Sequence, residues 1–323
     1  MRRLGAVGAC VIALLGAASV CPDLVVAQPA RIGVLHPGTG RPEPSRVSTL
    51  RASLQELGYV EGQNVVFETR YANGQAERLP DLARDLVRSR VDIIVASGFA
   101  IAAAQKVATT IPIVMNFSGD PVGRGYIQNL ARPGANVTGI ATLAPEATAK
   151  RLELLRELVA RADRIGYVTG LTDSLEQRAA EAAARTLHVA LVVITATEPP
   201  EIDVALQKLR RAGAQAVMYS SDPTLARHSA RLVQLAAKHR LPASYEFREQ
   251  AEDGGLMSYG ADTVDLGRRA AAFVNRILKG AAPATLPVEQ PTKFELVINV
   301  KTANALDLAI PPSLLARANT VIQ

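Results

Sequence analysis

The sequence predicts an α/β protein of two Rossmann-like lobes with parallel sheets, joined by a multi-strand hinge, and three observations lead there. The first is residues 91–110, VDIIVASGFAIAAAQKVATT. A β-branched apolar run turns at Ser97 and Gly98 and continues as an alanine-rich helical segment, which is the strand–turn–helix unit of a parallel sheet. The second is internal repetition. RIGVL at 31–35 returns as RIGYV at 164–168, VVFETRYA as ALVVITAT, LARDLVRSRVDIIVASG as LQKLRRAGAQAVMYSSD, and TIPIVMNF as RLPASYEF. The echoes keep their order at an offset of roughly 120 to 135 residues, which suits two βαβ series of one plan. The third is the tail, where Pro283, Pro287 and Pro291 space out a segment better suited to an extended crossover than to a folded unit of its own.

The elements follow in order. Residues 1–27 differ in kind from the rest: Arg2 and Arg3, an apolar run over 7–20, then small residues up to Ala27. That pattern predicts a secretory signal cleaved near Ala27 and an exported, periplasmic protein. Both cysteines, Cys10 and Cys21, fall inside it, so the mature chain is expected to hold no disulfide, thiolate metal site or cysteine nucleophile. Losing Arg2, Arg3 and Asp23 lowers the net charge from +6 to +5, and the remaining basic residues are scattered, so no nucleic-acid footprint is expected.

A strand at 31–35 leads into the turn-rich stretch 36–44, and a helix then stops at Gly58. Strands are expected at 65–71, 91–96, 113–117 and 137–140, with a helix at 79–88. After the repeat come a strand at 256–259, a helix from Asp262 to 278 ending at Gly280, a strand at 294–299 and a short helix up to 308. The expected division is lobe I over 31–141 plus 261–284 and lobe II over 142–260 plus 285–323.

Function in such sheets sits at the carboxyl ends of the strands, where helix N-termini favour an anion. Ser97, Gly98 and Phe99 close the third strand and offer a hydroxyl and backbone donors to a carboxylate; Ser97 as a helix N-cap is the plain alternative. Ser118 and Asp120 close the fourth strand, and Thr142 lies at the handover between lobes. Tyr219, Ser220, Ser221 and Asp222 hold the place in lobe II that Ser97 holds in lobe I, while Tyr245 and Glu246 match the strand ending at Phe117. Asp222 or Asp262 could accept an ammonium, and Phe99, Tyr219 and Tyr245 could supply apolar walls. Against this, Asp120, Asp222 and Asp262 each also read as helix caps.

Catalysis finds no support. Of the four histidines, His36 closes the first strand and could line the cleft, while His188, His228 and His239 read as surface residues of helices. No pair has metal-ligand spacing, and no Walker A loop or GxSxG elbow is present. Gly38-Thr39-Gly40 is followed by Pro42 and Pro44, which spoil a helix start, so no nucleotide or other cofactor is expected.

RIGVL, ELGYVEGQNV at 56–65, VDIIVASG, IPIV, GDPVG at 119–123, LARPGANVTG at 130–139 and ILKGAAPATLPVEQPTKFELVINVKTANAL at 277–306 together closely resemble the ABC transporter substrate-binding proteins. The resemblance covers residues 31–310 and implies the type I periplasmic binding protein fold, in a subfamily that includes binders of aromatic amino acids. It implies two lobes linked by three crossovers that close on a small carboxylate ligand, an amino acid or aromatic acid, and present it to an inner-membrane permease. A monomer is expected, and an exported sensing subunit or a secreted α/β enzyme are the rival readings.

Overall fold

The computed structural model describes residues 28–40, 43, 45–142, 145–160 and 162–323; the leader read at 1–27 lies outside them. The chain runs β1 (Ala30–His36), α1 (Ser45–Glu56), β2 (Val65–Tyr71), α2 (Leu79–Arg88), β3 (Ile93–Ser97), α3 (Ala100–Val107), β4 (Ile113–Ser118) and β5 (Val137–Ala141). Next come α4 (Pro145–Leu158), β6 (Arg164–Thr169), α5 (Leu175–Thr186), β7 (Ala190–Thr195), α6 (Pro199–Arg211), β8 (Ala216–Tyr219), α7 (Pro223–Ala226), α8 (Ser229–Lys238), β9 (Ala243–Tyr245), α9 (Arg248–Glu252) and β10 (Met257–Ala261). The tail adds α10 (Thr263–Leu278), β11 (Phe294–Asn299), α11 (Val300–Ala305), α12 (Pro312–Arg317) and β12 (Thr320–Ile322).

Two sheets form, in the orders β2-β1-β3-β4-β5 and β7-β6-β8-β9-β10-β11-β12. The repeat legible in the sequence is thus a repeat of architecture. The strands β2-β1-β3-β4 correspond, position for position, to β7-β6-β8-β9. Pairing is parallel throughout except between β10 and β11. The central strands are runs of Ile, Val and Ala because helices cover both faces: every residue of β3 and β4 is buried. On one face of the first sheet α2 and α3 supply Leu86, Ile101 and Ala104; on the other α1 and α10 supply Leu50, Leu54, Phe273 and Val274.

Helix α10 follows β10 of the second sheet yet packs on the first, so the chain crosses back there. Asp262 caps it, its Oδ1 accepting from the N–H groups of Val264 and Asp265 at 2.9 and 3.0 Å. Gly267 lets α10 approach α1 closely, since a Cβ there would lie 2.6 Å from the Arg46 carbonyl oxygen. The crossover into β11 falls later than the expected boundary at 285. Leu286 accepts from the Thr138 hydroxyl at 2.8 Å, and Val288 and Glu289 hydrogen-bond to Leu130, Gly139 and Ala141, so this stretch lies along the first sheet. The strand β12 and helix α12 have no counterpart in the sequence reading; residues 320–322 are too few to show a period.

Candidate functional site

The carboxyl ends of β1, β3 and β4 form one edge of the first sheet, with β3 in the middle. His36 ends β1 and is 6 % exposed. The Gly38 N–H donates to its Nδ1 at 3.0 Å. That places the proton of the neutral ring on Nε2, and Nε2 is buried with no partner among the described residues. Burial, and then the positive charge of Arg46, push the His36 pKa down to about 3, so the ring stays neutral. Arg46, in the first turn of α1, also lies over the Phe117 ring at the end of β4, 5.4 Å from its centroid. Its guanidinium therefore lies near both the end of β1 and the end of β4.

Arg46 also lies 5.6 Å from the centre of the Phe247 ring, which belongs to the other lobe. Its Nε and Nη1 are buried and find no acceptor among the described residues. A cation held between two rings is partly compensated, but its N–H groups still call for an anion. Ser45, one residue earlier, bonds to Glu249 of α9 at 3.2 Å and to Thr263 at 3.0 Å. Through Glu249 and Phe247 the start of α1 is thus one place where the lobes meet.

The second lobe presents Glu246 directly after β9. The residue is half-buried, and its Oε2 is buried without a partner among the described residues. Desolvation raises its pKa to about 7, against the lowering effect of Arg151 and with a further push from Glu176. Beside it Arg151 of α4, 2 % exposed, donates to Glu176 Oε1 at 2.7 Å and to the Tyr219 carbonyl at 2.9 Å. The strand β10 passes tightly over Glu246, since a Cβ on Gly260 would lie 2.8 Å from the Glu246 Cγ.

The structure sorts the residues expected from the sequence. His36, Ser97 and Gly98 stay together at the first-lobe edge. Ser97 is 5 % exposed and is not a helix cap: the cap of α3 is Phe99, which supplies no side-chain acceptor, so the helix start is open to an anion. Gly98 makes the turn with φ +56 and donates to the Phe117 carbonyl at 2.8 Å. The Phe99 ring packs partly buried against the first-lobe core.

Several others have local roles instead. Asp222 accepts from the N–H groups of Gly170, Thr224 and Leu225 at 2.9, 2.9 and 3.2 Å and from the Ser220 hydroxyl, which leaves its carboxylate satisfied within its own lobe. Asp262 caps α10 as described, and Asp120 accepts from the Gly123 N–H at 2.8 Å in a turn. The Thr142 hydroxyl donates to the Ser118 carbonyl at 3.0 Å, and Ser221 donates its N–H and hydroxyl to Glu176. Tyr219 and Tyr245 are each 1 % exposed and stack on one another, ring centroids 5.4 Å apart, inside the second-lobe core. They are core residues, not cleft walls. His239, expected at the surface, is 8 % exposed and bonded to Asp203 at 2.7 Å.

The rings at the junction are Phe117 and Phe247, and the charged side chains there with a buried atom lacking a partner among the described residues are Arg46, Glu246 and Glu249. The repeat carried the signal for three of these, since TIPIVMNF over RLPASYEF aligns Phe117 with Phe247 and Asn116 with Glu246. Among the described residues no group of three His, Cys, Asp or Glu could hold a metal, and no helix is long and apolar enough to cross a membrane.

Two similar α/β lobes with partnerless buried polar atoms at their junction are the architecture of a two-lobed binding protein. Residues 32–322 match the ABC transporter substrate binding protein family, and the chain belongs to it. It is accordingly a solute-binding protein and not an enzyme. A tyrosine-binding protein of Clostridioides difficile is 26 % identical over 261 residues, spanning 79 % of this chain and 74 % of that one. Among solved structures, a conserved domain protein of Vibrio cholerae is 27 % identical with a TM-score of 0.80, and an ABC domain of Streptococcus pneumoniae in complex with L-Trp is 25 % identical with a TM-score of 0.79. Each covers 91 % of this chain and 100 % of its own.

Proposed function

We propose that this chain is the periplasmic solute-binding subunit of an ABC importer, that it captures an amino acid between its lobes, and that it presents the ligand to an inner-membrane permease. The observation that carries the ligand reading is Arg46, a cation at the lobe junction whose buried Nε and Nη1 have no acceptor among the described residues. An unpaired buried charge costs several kcal/mol, and a ligand carboxylate relieves that. The neutral His36 Nε2–H and the open start of α3 beyond Ser97 and Gly98 lie at the same sheet edge and would add donors to the same carboxylate. Phe117 and Phe247 would flank an apolar or aromatic side chain.

Closure follows from the placement of these groups on both lobes. Contacts from the two sides are complete together only when the lobes approach, so a ligand shifts the chain toward the closed form. The described conformation has the lobes near one another at two places, at Phe117 and Phe247 and again where a Cβ on Gly74 would lie 3.8 Å from the Arg227 carbonyl oxygen. The relatives that bind tyrosine and L-Trp support an aromatic amino acid as the ligand. A micromolar ligand needs about 8 kcal/mol in all, within reach of one carboxylate clamp and one buried ring.

Thermal unfolding of residues 28–323 against the common amino acids and aromatic acids tests the reading. A ligand at about 100 times its dissociation constant adds about 2.7 kcal/mol, a shift of a few degrees for a chain of this size. A saturable shift with an amino acid supports the proposal, and no shift across the set contradicts it.

A further inference from the structure

We propose that Glu246 selects ligands that carry an amine, its carboxylate being the counter-charge for the ammonium of an amino acid held between the lobes. The assignment rests on the cleft reading above and names the group that reading leaves open. Of the aspartates that the sequence pointed to, Asp222 has both oxygens engaged by donors of its own lobe, and Asp262 spends its Oδ1 on the cap of α10.

Three features single out Glu246. Its Oε2 is buried and has no partner among the described residues. Its neighbouring cation, Arg151, directs its Nη2 to Glu176 and to the Tyr219 carbonyl and makes no hydrogen bond to Glu246. Its side chain lies close under β10, in space that only a glycine at 260 leaves open, since a Cβ there would lie 2.8 Å from the Glu246 Cγ. The charged and titratable groups around it are Arg151 of α4, Glu176 of α5, Arg46 of α1 and, through its hydroxyl, Tyr167 of β6. Arg151 and Glu176 neutralise one another. Once a ligand carboxylate pairs with Arg46, Glu246 is left as the one charge of the group without a counter-ion.

A zwitterion resolves this at both ends. A deaminated acid satisfies Arg46 and leaves Glu246 unpaired, so Glu246 must take up a proton for that ligand to bind. A simple amine leaves Arg46 unpaired instead. The free protein holds the Glu246 pKa near neutrality, about 7, so the two ligand classes should respond to pH in opposite directions. An ammonium requires the ionised carboxylate, so amino-acid affinity falls as pH drops below about 7. A deaminated acid favours the protonated form, so its affinity rises over the same interval.

The test is titration calorimetry of L-tyrosine and L-tryptophan, and of their deaminated propanoate analogues, from pH 5.5 to 8.5 on the wild type and Glu246→Gln. For the wild type the expected result at pH 8 is an amino acid at least tenfold tighter than its analogue. Amino-acid affinity should weaken by up to roughly tenfold per pH unit below 7, the limit for one linked proton, with the opposite slope for the analogue. In Glu246→Gln both slopes should vanish and the preference should shrink to a few-fold. Wild-type amino-acid binding that is flat in pH, or a Glu246→Gln variant that keeps slope and preference, overturns the assignment while leaving the cleft reading intact. Failure of the wild type to bind either amino acid overturns the cleft reading and the assignment with it. If Glu246→Gln does not fold, the opposite slopes of the two ligand classes on the wild type decide alone.

Discussion

Phe117 and Phe247 meet edge to face with ring centroids 5.0 Å apart and an interplanar angle of 67°, one from each lobe and each at the same place in its half of the repeat. The Arg46 guanidinium lies over both rings. The contact therefore joins the lobes where the unpaired cation sits.

Replacing either ring should weaken the closed form. An aromatic pair contributes about 0.5 to 1.5 kcal/mol beyond its buried area, and the cation–ring contacts add a comparable amount. Phe247→Ala should lower ligand affinity by roughly tenfold and expand the liganded protein in small-angle X-ray scattering. An unchanged affinity and radius would show that the pair plays no part in closure.

The buried ion pair of Arg151 and Glu176 should be a fold determinant. Removing one partner leaves the other charged and desolvated, at a cost of about 3 to 5 kcal/mol. Arg151→Met and Glu176→Leu should each show that loss in urea unfolding. The double variant should recover part of it, though not all, because Ser221 also donates to Glu176.

His36 should make the protein acid-sensitive. Its folded pKa, about 3, lies below its ordinary value of 6.5, so the unfolded chain binds the proton more readily. The stability that the neutral ring contributes is fully present above pH 6.5 and is lost as pH falls from there toward 3, at no more than about 1.4 kcal/mol per pH unit. Denaturant unfolding of the wild type and His36→Gln between pH 7 and 4 should show the wild type losing stability faster. Parallel curves would contradict this.

Gly267→Ala should displace α1 and with it Arg46. The added methyl group meets the Arg46 carbonyl at 2.6 Å and the Thr49 Cβ at 2.8 Å. Overpacking of this kind costs about 1 to 3 kcal/mol, and the thermal midpoint and the ligand affinity should fall together. A variant with normal affinity would show that Arg46 does not need that packing.

The sheets were legible because parallel strands covered on both faces are written in Ile, Val and Ala, as in β3, and because four of them recur in order. The aspartates were legible as helix caps, which is what Asp222 and Asp262 are. Tyr219 and Tyr245 misled because a strand-end tyrosine reads the same whether its ring turns to the cleft or, as here, under the helices. Arg46 was missed for a related reason. It follows a proline-rich turn and opens a helix, where an arginine ordinarily faces water, and only the fold brings it over the Phe117 and Phe247 rings. Glu246 was visible as the partner of Asn116 in the repeat, but its missing counter-ion is a property of the folded neighbourhood.

The most direct test of the account is calorimetric titration of the amino acid identified by thermal unfolding into the wild type and Arg46→Met. Methionine keeps much of the length and removes the charge. The account predicts a one-to-one saturable isotherm for the wild type. For the variant it predicts affinity lower by about tenfold to a hundredfold, the loss expected for a charge-assisted hydrogen bond. The unliganded variant should unfold at an equal or higher temperature, because an unpaired charge has been taken out of the junction. Wild-type affinity in Arg46→Met would contradict the claim that this arginine receives the ligand.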